Sequence, residues 1–369
     1  MKKNFFLGFI ALAALIVSSC SNDADLTLKT PDNAIEFGTY VGRDAQTRAH
    51  SVENLAKLAE DGGFGVYAYY TDGVDFNPAS STPNFMKNQN VTSADNGLTW
   101  TYDPVKYWPN EVTDKLSFFA YAPWVSAPTV AASGDPVLTF TVPEDVTDHT
   151  DLLVADASAL KNLTKQTTTG NVQFNFKHAL SRVGFKVEAV VDEVNNQGNG
   201  DVDTDGQYYI EIDGITTVSV QEVELIGDFY TSAGINMNTS EWGSYSGTTS
   251  SYSLSSDKND FESVASGVTH EKQRLNKDTE YMMIIPHATM GVKVRVKYTV
   301  TTKDDNLDGG KSVVVNDITS VEFPFTFDQG KAYNFVLHLG LTSVKLSASV
   351  SEWDDETDHV VNVPLNLKD

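Results

Sequence analysis

Past its first fifty residues the chain is a succession of short runs rich in aromatic, β-branched and aliphatic residues, separated by turn residues. "FGVYAYY" (Phe64 to Tyr70), "KLSFFAYAPW" (Lys115 to Trp124), "PVLTFTVP" (Pro136 to Pro143) and "DLLVADA" (Asp151 to Ala157) are of this kind. The series resumes at "VQFNFKHALSRVGFKVEAVV" (Val172 to Val191), which alternates on both sides of a short polar segment. "VSVQEVELIG", "EYMMIIP", "VKVRVKYTVTT", "VEFPFTF" and "YNFVLHLGLTSVKLSASV" follow. Many short strands at near-regular spacing predict an all-β protein built from β-sandwiches. One stretch, "SVENLAKLAEDGG", reads as a helix: Val52, Leu55, Ala56 and Ala59 recur at helical spacing, with Ser51 as N-cap and Gly62 at the end. At 369 residues two domains are expected, and 40% hydrophobic with 11% aromatic residues are enough to bury real cores. The polar "KQTTTGN" (Lys165 to Asn171), where the strand series restarts, sets the expected boundary near residue 165.

The N-terminus carries a different signal. Lys2 and Lys3 precede an unbroken apolar run, "FFLGFIALAALIV" (Phe5 to Val17), too short to span a bilayer and about right for the core of a secretory signal. Val17-Ser18-Ser19-Cys20 then resembles a bacterial lipobox. That resemblance implies removal of residues 1–19 and a diacylglycerol on the sulfur of Cys20; the plainer alternative is an ordinary signal peptide with an incidental cysteine. Two or more acyl chains anchor a protein stably where one does not. Cys20 is the only cysteine, so no disulfide forms within the chain and its cores must supply stability. The formal net charge of −24 argues against nucleic acid as a partner, because that binding rests on neutralising phosphates with Lys and Arg. Asp23 and Asp25 follow the cysteine closely, an acidic stretch that accompanies display on the outer face of some outer membranes.

No active site is legible. The seven histidines are scattered, and HExxH and GxSxG are absent. "GGFGVY" at Gly62 precedes a strand instead of joining a strand to a helix, so it fails as a dinucleotide loop. The chain is expected not to be an enzyme and to need no cofactor other than, in one reading, calcium. "DVDTDG" places Asp201, Asp203 and Asp205 at alternate positions before Gly206, as a calcium loop opens. Its twelfth position is Ile212 and not the bidentate glutamate, and an acidic hairpin tip explains the same residues. "YDPVKYWPN" (Tyr102 to Asn110) holds three aromatics that either stack on a glycan or belong to a core.

Taken in order, "TRA" (Thr47 to Ala49), "GFGVYAYY", "PNFMKNQNV" (Pro83 to Val91), "WTYDPVKYWPNEVTDKLSFFAYAP" (Trp100 to Pro123), "FNFKHALSRVGFKV" (Phe174 to Val187) and "SEWDD" (Ser351 to Asp355) make the chain similar to the fimbrillin family, in particular its Mfa-like members. The resemblance implies two transthyretin-like β-sandwich domains in tandem, here 49–165 and 166–369. It implies a subunit of a type V surface pilus (fimbria), exported as an outer-membrane lipoprotein and serving adhesion or biofilm formation. It also implies a route: an arginine-specific protease removes a pro-segment with the first strand, and a strand of another pilin subunit fills the groove. The pro-segment would be 20–48, cut between Arg48 and Ala49 or, as second choice, behind Arg43. It contains "AIEFGTYV" (Ala34 to Val41), in which Ile35, Phe37, Thr39 and Val41 share one face. The C-terminal segment 359–369 is the candidate donor: Val361, Val363, Leu365 and Leu367 fall on one face, and Pro364 suits an edge or transferable strand. It is equally readable as the last strand of its own domain. A second function class stays open: a monomeric surface lipoprotein binding a glycan or another host or bacterial surface ligand.

Overall fold

The computed structural model describes residues 33–41, 52, 54–189, 201–202, 208–209, 215–255, 261–262, 273–275, 281–303, 307–339, 344–353 and 359–361. In chain order the first elements are β1 (Phe37–Val41), α1 (Leu55–Glu60), β2 (Phe64–Thr71), β3 (Met86–Val91), β4 (Lys115–Ala122), β5 (Thr129–Val130), β6 (Val137–Thr141), β7 (Leu153–Ala155) and β8 (Val172–His178). There follow β9 (Ser181–Ala189), β10 (Asp201–Val202), β11 (Tyr208–Tyr209), β12 (Ile215–Asn236), β13 (Glu241–Ser255), β14 (Phe261–Glu262), β15 (Gln273–Arg274) and β16 (Met282–Ile284). The last are β17 (His287–Lys303), β18 (Lys311–Thr319), β19 (Phe323–Phe327), β20 (Lys331–Leu339), β21 (Val344–Glu352) and β22 (His359–Val361). The chain is all-β, as its sequence predicts.

Among the described residues three large sheets result. The first runs β1-β8-β7-β4-β2-β3; the second runs β18-β17-β12-β6-β5, with β13, β14 and β19 added; the third runs β15-β9-β20-β21-β22, with β16 added. Two cores lie against them. Phe64, Val66 and Ala68 of β2 and Leu116, Phe118 and Ala120 of β4 enter the first core, while Tyr67, Tyr69, Phe119 and Tyr121 point into the second. Being buried on both faces, β2 and β4 read as unbroken apolar runs. β8 contributes to the first core alone and alternates cleanly: Val172, Phe174, Phe176 and His178 are buried while Gln173, Asn175 and Lys177 are exposed.

The sheets exchange strands across the expected boundary. β8, beyond residue 165, completes the first sheet, whereas β5 and β6, before it, pair into the second through β6 and β12. Thr- and Gly-rich composition marks a surface turn as readily as a linker, and here it leads into β8. The strands of the second sheet are also longer than the sequence suggests. "VSVQEVELIG" is part of the 22-residue β12, which bulges three times along its pairings with β17 and β13. Stretches such as "SYSGTTSSYS" look like loops by composition but are strand, most of it exposed. The helix forms as predicted in place, with a different cap: Asn54 Oδ1 accepts from Lys57 N at 2.9 Å. Gly63, at φ +80° behind it, is needed there, since a Cβ would fall 1.9 Å from the Val91 carbonyl oxygen.

Candidate functional site

β1 is the outermost strand of the first sheet. It pairs in parallel with β8 in the register Phe37↔Val172 to Val41↔Phe176. Just before it, the chain is clasped from the other side: Ile35 N donates to Lys106 O at 2.9 Å, and Trp108 N to Asn33 O at 2.9 Å. The Tyr102 hydroxyl donates to Ile35 O at 2.7 Å. Burial pushes that phenol up to about 12, so it stays protonated and keeps donating.

The side chains follow the predicted alternation. Ile35, Phe37 and Val41 are 1%, 2% and 5% exposed, whereas Tyr40 is 54% exposed. The Phe37 ring sits among four others, with centroids 5.1 Å from Tyr102, 5.4 Å from Phe174, 6.0 Å from Phe118 and 6.4 Å from Phe64. Burying a side chain of that size contributes roughly 1.5–3 kcal/mol. Thr39, the one polar residue on the inward face, has its hydroxyl oxygen buried with no hydrogen-bond partner among the described residues, which weakens the strand's hold. Beside β1 opens a cleft of about 550 Å³ walled by Leu55, Leu98, Trp100, Tyr102 and Val105. Leu98 is 82% and Val105 38% exposed. The arrangement is a strand held at a sheet edge over an aromatic groove with an apolar rim.

Sequence reasoning missed a second constellation. Asp151, 1% exposed, accepts from His178 Nδ1 at 2.8 Å and from Val52 N at 3.2 Å, both through Oδ2. The His178 ring lies flat on Trp353, 4.3 Å between centroids. The Arg182 guanidinium sits 5.1 Å from the Trp353 ring and 4.7 Å from the Tyr281 ring. This clasp ties the chain just after the predicted cleavage bond to the end of β21. The histidine–carboxylate pair is enclosed by packing, so a substrate has no access to it. The signal that marks it is the polar "KHALSR" interrupting two alternating strands.

The remaining predicted residues are placed as follows. Cys20, Arg43, Arg48 and Ala49 lie outside the described residues, as do Val363, Leu365 and Leu367. Val361 lies in β22, which pairs antiparallel with β21 at the edge of the third sheet, Ala348↔Val361 to Val350↔His359. Asp201 lies in β10, paired with β11 as a small hairpin, while Asp203 and Asp205 lie outside the described residues. Among the described residues no cluster of three His, Cys, Asp or Glu could hold a metal ion. Of the aromatics weighed for glycan stacking, Trp108 is 7% exposed and packs on Phe118, and Tyr102 is engaged with Ile35; Tyr107 alone is open, at 47%.

These features define an all-β protein with two cores and a first strand seated separately at a sheet edge. The fimbrillin-like family profile matches residues 47–353, and the chain belongs to that family. It is 26% identical over 396 aligned residues to the fimbrium subunit Fim1C of Phocaeicola vulgatus, covering 96% of this chain and 98% of that protein. The crystal structure of a fimbrial protein from Bacteroides vulgatus superimposes with a TM-score of 0.66 at 22% identity, covering 87% of this chain and all of the other, a likeness of fold.

Proposed function

We propose that this chain is a structural subunit of a surface fimbria, exported as a lipoprotein through Cys20 and assembled by strand exchange. The observation that carries the reading is β1: a five-residue strand at a sheet edge, parallel to β8, with Phe37 plugging an aromatic groove. Cutting the chain behind Arg48, or behind Arg43, would free the segment that holds this strand. The groove left behind would offer the unpaired edge of β8 and a row of apolar side chains, a template for another strand. The fimbrial names of the relatives support this reading, as does the expected placement of the body at the cell surface. The segment 359–369 is the proposed donor; β22 being an outer strand is compatible with its leaving. A second copy or another fimbrial subunit would be the partner.

Limited digestion with an arginine-specific protease tests this. Mass spectrometry should find a cut behind Arg48 or Arg43, followed by a ladder on gels that collapses on boiling. A protein cut there that yields no such ladder, alone or mixed with other fimbrial subunits, would end the strand-exchange reading.

A further inference from the structure

β18 is the outermost strand of the second sheet. It pairs with β17 without a register shift from Lys303↔Lys311 to Arg295↔Thr319, and among the described residues no strand pairs with its other side. Natural edge strands are guarded by proline, bulges, central lysines or shortness. β18 has none of these between Ser312 and Asn316. Instead Val313, Val314 and Val315 are 51%, 41% and 73% exposed. Val313 and Val315 stand beside Thr301 and Thr299 on the outer face, and Val314 beside Val300 on the inner one.

We propose that β18 pairs antiparallel with β18 of a second copy of this chain, about a two-fold axis through Val314. The strand is self-complementary in that register. Val313 of one copy meets Val315 of the other, Ser312 meets Asn316, and Lys311 meets Asp317. An axis through Val315 would set Val313 against Asp317 and forfeit the charge pair. Charge also favours this segment over the rest of the surface. With 50 acidic and 26 basic residues, two copies repel across most contacts. From Lys311 to Asp317 the strand is neutral, and Arg295 already holds the Asp317 carboxylate at 2.6 Å. The contact would be isologous and would join two second sheets edge to edge. It uses a different sheet from the β1 groove, so it stands whether or not strand exchange occurs, and it would link subunits sideways.

The test uses residues 21–369, which keep every described strand and contain no cysteine. Sedimentation equilibrium should find a dimer. V315K, at a position open to solvent in the monomer, should keep the circular dichroism spectrum and weaken association by about tenfold or more. V314C should form a disulfide-linked dimer under mild oxidation, because the two sulfurs meet on the axis. V125C, at a position elsewhere that is more exposed still, should not. A monomeric parent protein, a dimer indifferent to V315K, or V314C cross-linking no faster than V125C would each overturn the proposal.

Discussion

At the scale of single residues, the buried clasp around Asp151 makes the clearest demand. Its carboxylate accepts from one histidine and one backbone N–H, and the buried Arg182 belongs to the same clasp. Removing one partner of a buried pair leaves the other without compensation. His178→Ala should therefore lower the unfolding free energy by about 3–5 kcal/mol, read by urea denaturation; a loss under about 1 kcal/mol would mean that the pair does not stabilise the fold. Thr39 gives the opposite sign. Thr39→Val removes a buried hydroxyl that lacks a partner, so stability should hold or rise by about 1 kcal/mol. Asp95 offers a titration. The Thr99 hydroxyl and N–H, with the Ser93 hydroxyl, hold its carboxyl down to about 2. A depressed carboxylate contributes stability above its unfolded value near 3.8 and loses it as pH falls through the folded one. The Thr99 amide shift, followed by NMR, should titrate near pH 2; a midpoint near 4 would mean that the loop bearing Leu98 is not closed by Asp95. Alternation placed Thr39 with Ile35, Phe37 and Val41, but the partners of Asp151 and Asp95 were not legible beforehand. The stretches containing Asp151, His178 and Trp353 stood out in the sequence as motifs, but charges in apolar strands acquire partners only when distant strands assemble.

At the scale of elements, β1 was the most legible. Alternation alone assigned Ile35, Phe37 and Val41 to the inward face, and they are buried. Periodicity fixes a face and not a neighbour, so parallel pairing with β8, far along the chain, could not be read. The full length of β12, beyond "VSVQEVELIG", and the whole of β13 escaped for a related reason: the Ser, Thr and Gly residues of β13 occupy mostly exposed strand positions, and their composition matches that of turns. If Phe37 is the plug, Phe37→Ala should cost about 3–5 kcal/mol and should loosen its neighbours selectively. Hydrogen exchange should quicken at the β8 amides from Val172 to Phe176 and stay unchanged in β9 and β20, which face the other core. Uniform acceleration across all three would mean that β1 is an inseparable part of one cooperative unit.

At the scale of the molecule, the decisive feature is how the two cores share strands without sharing β1. β2 and β4 serve both cores, and β5, β6 and β8 cross the boundary that composition suggested, so the body is knitted together around its first sheet. Ile35, Phe37 and Val41 belong to the first core alone. Losing the first strand should consequently open one core and spare the other. Trp100 and Trp108 line the first core, and Trp353 belongs to the second. After arginine-specific cleavage and removal of the N-terminal fragment, emission from the first pair should shift to the red while that of Trp353 holds, a distinction that single-tryptophan variants make. Adding the peptide "AIEFGTYV" should then reverse the shift, because it restores the β8 pairing and the Phe37 ring. The same peptide carrying Ala in place of that Phe should restore much less. If the cleaved body collapses altogether, or if both peptides act alike, the groove is not a preformed site for a strand and strand exchange loses its physical basis here.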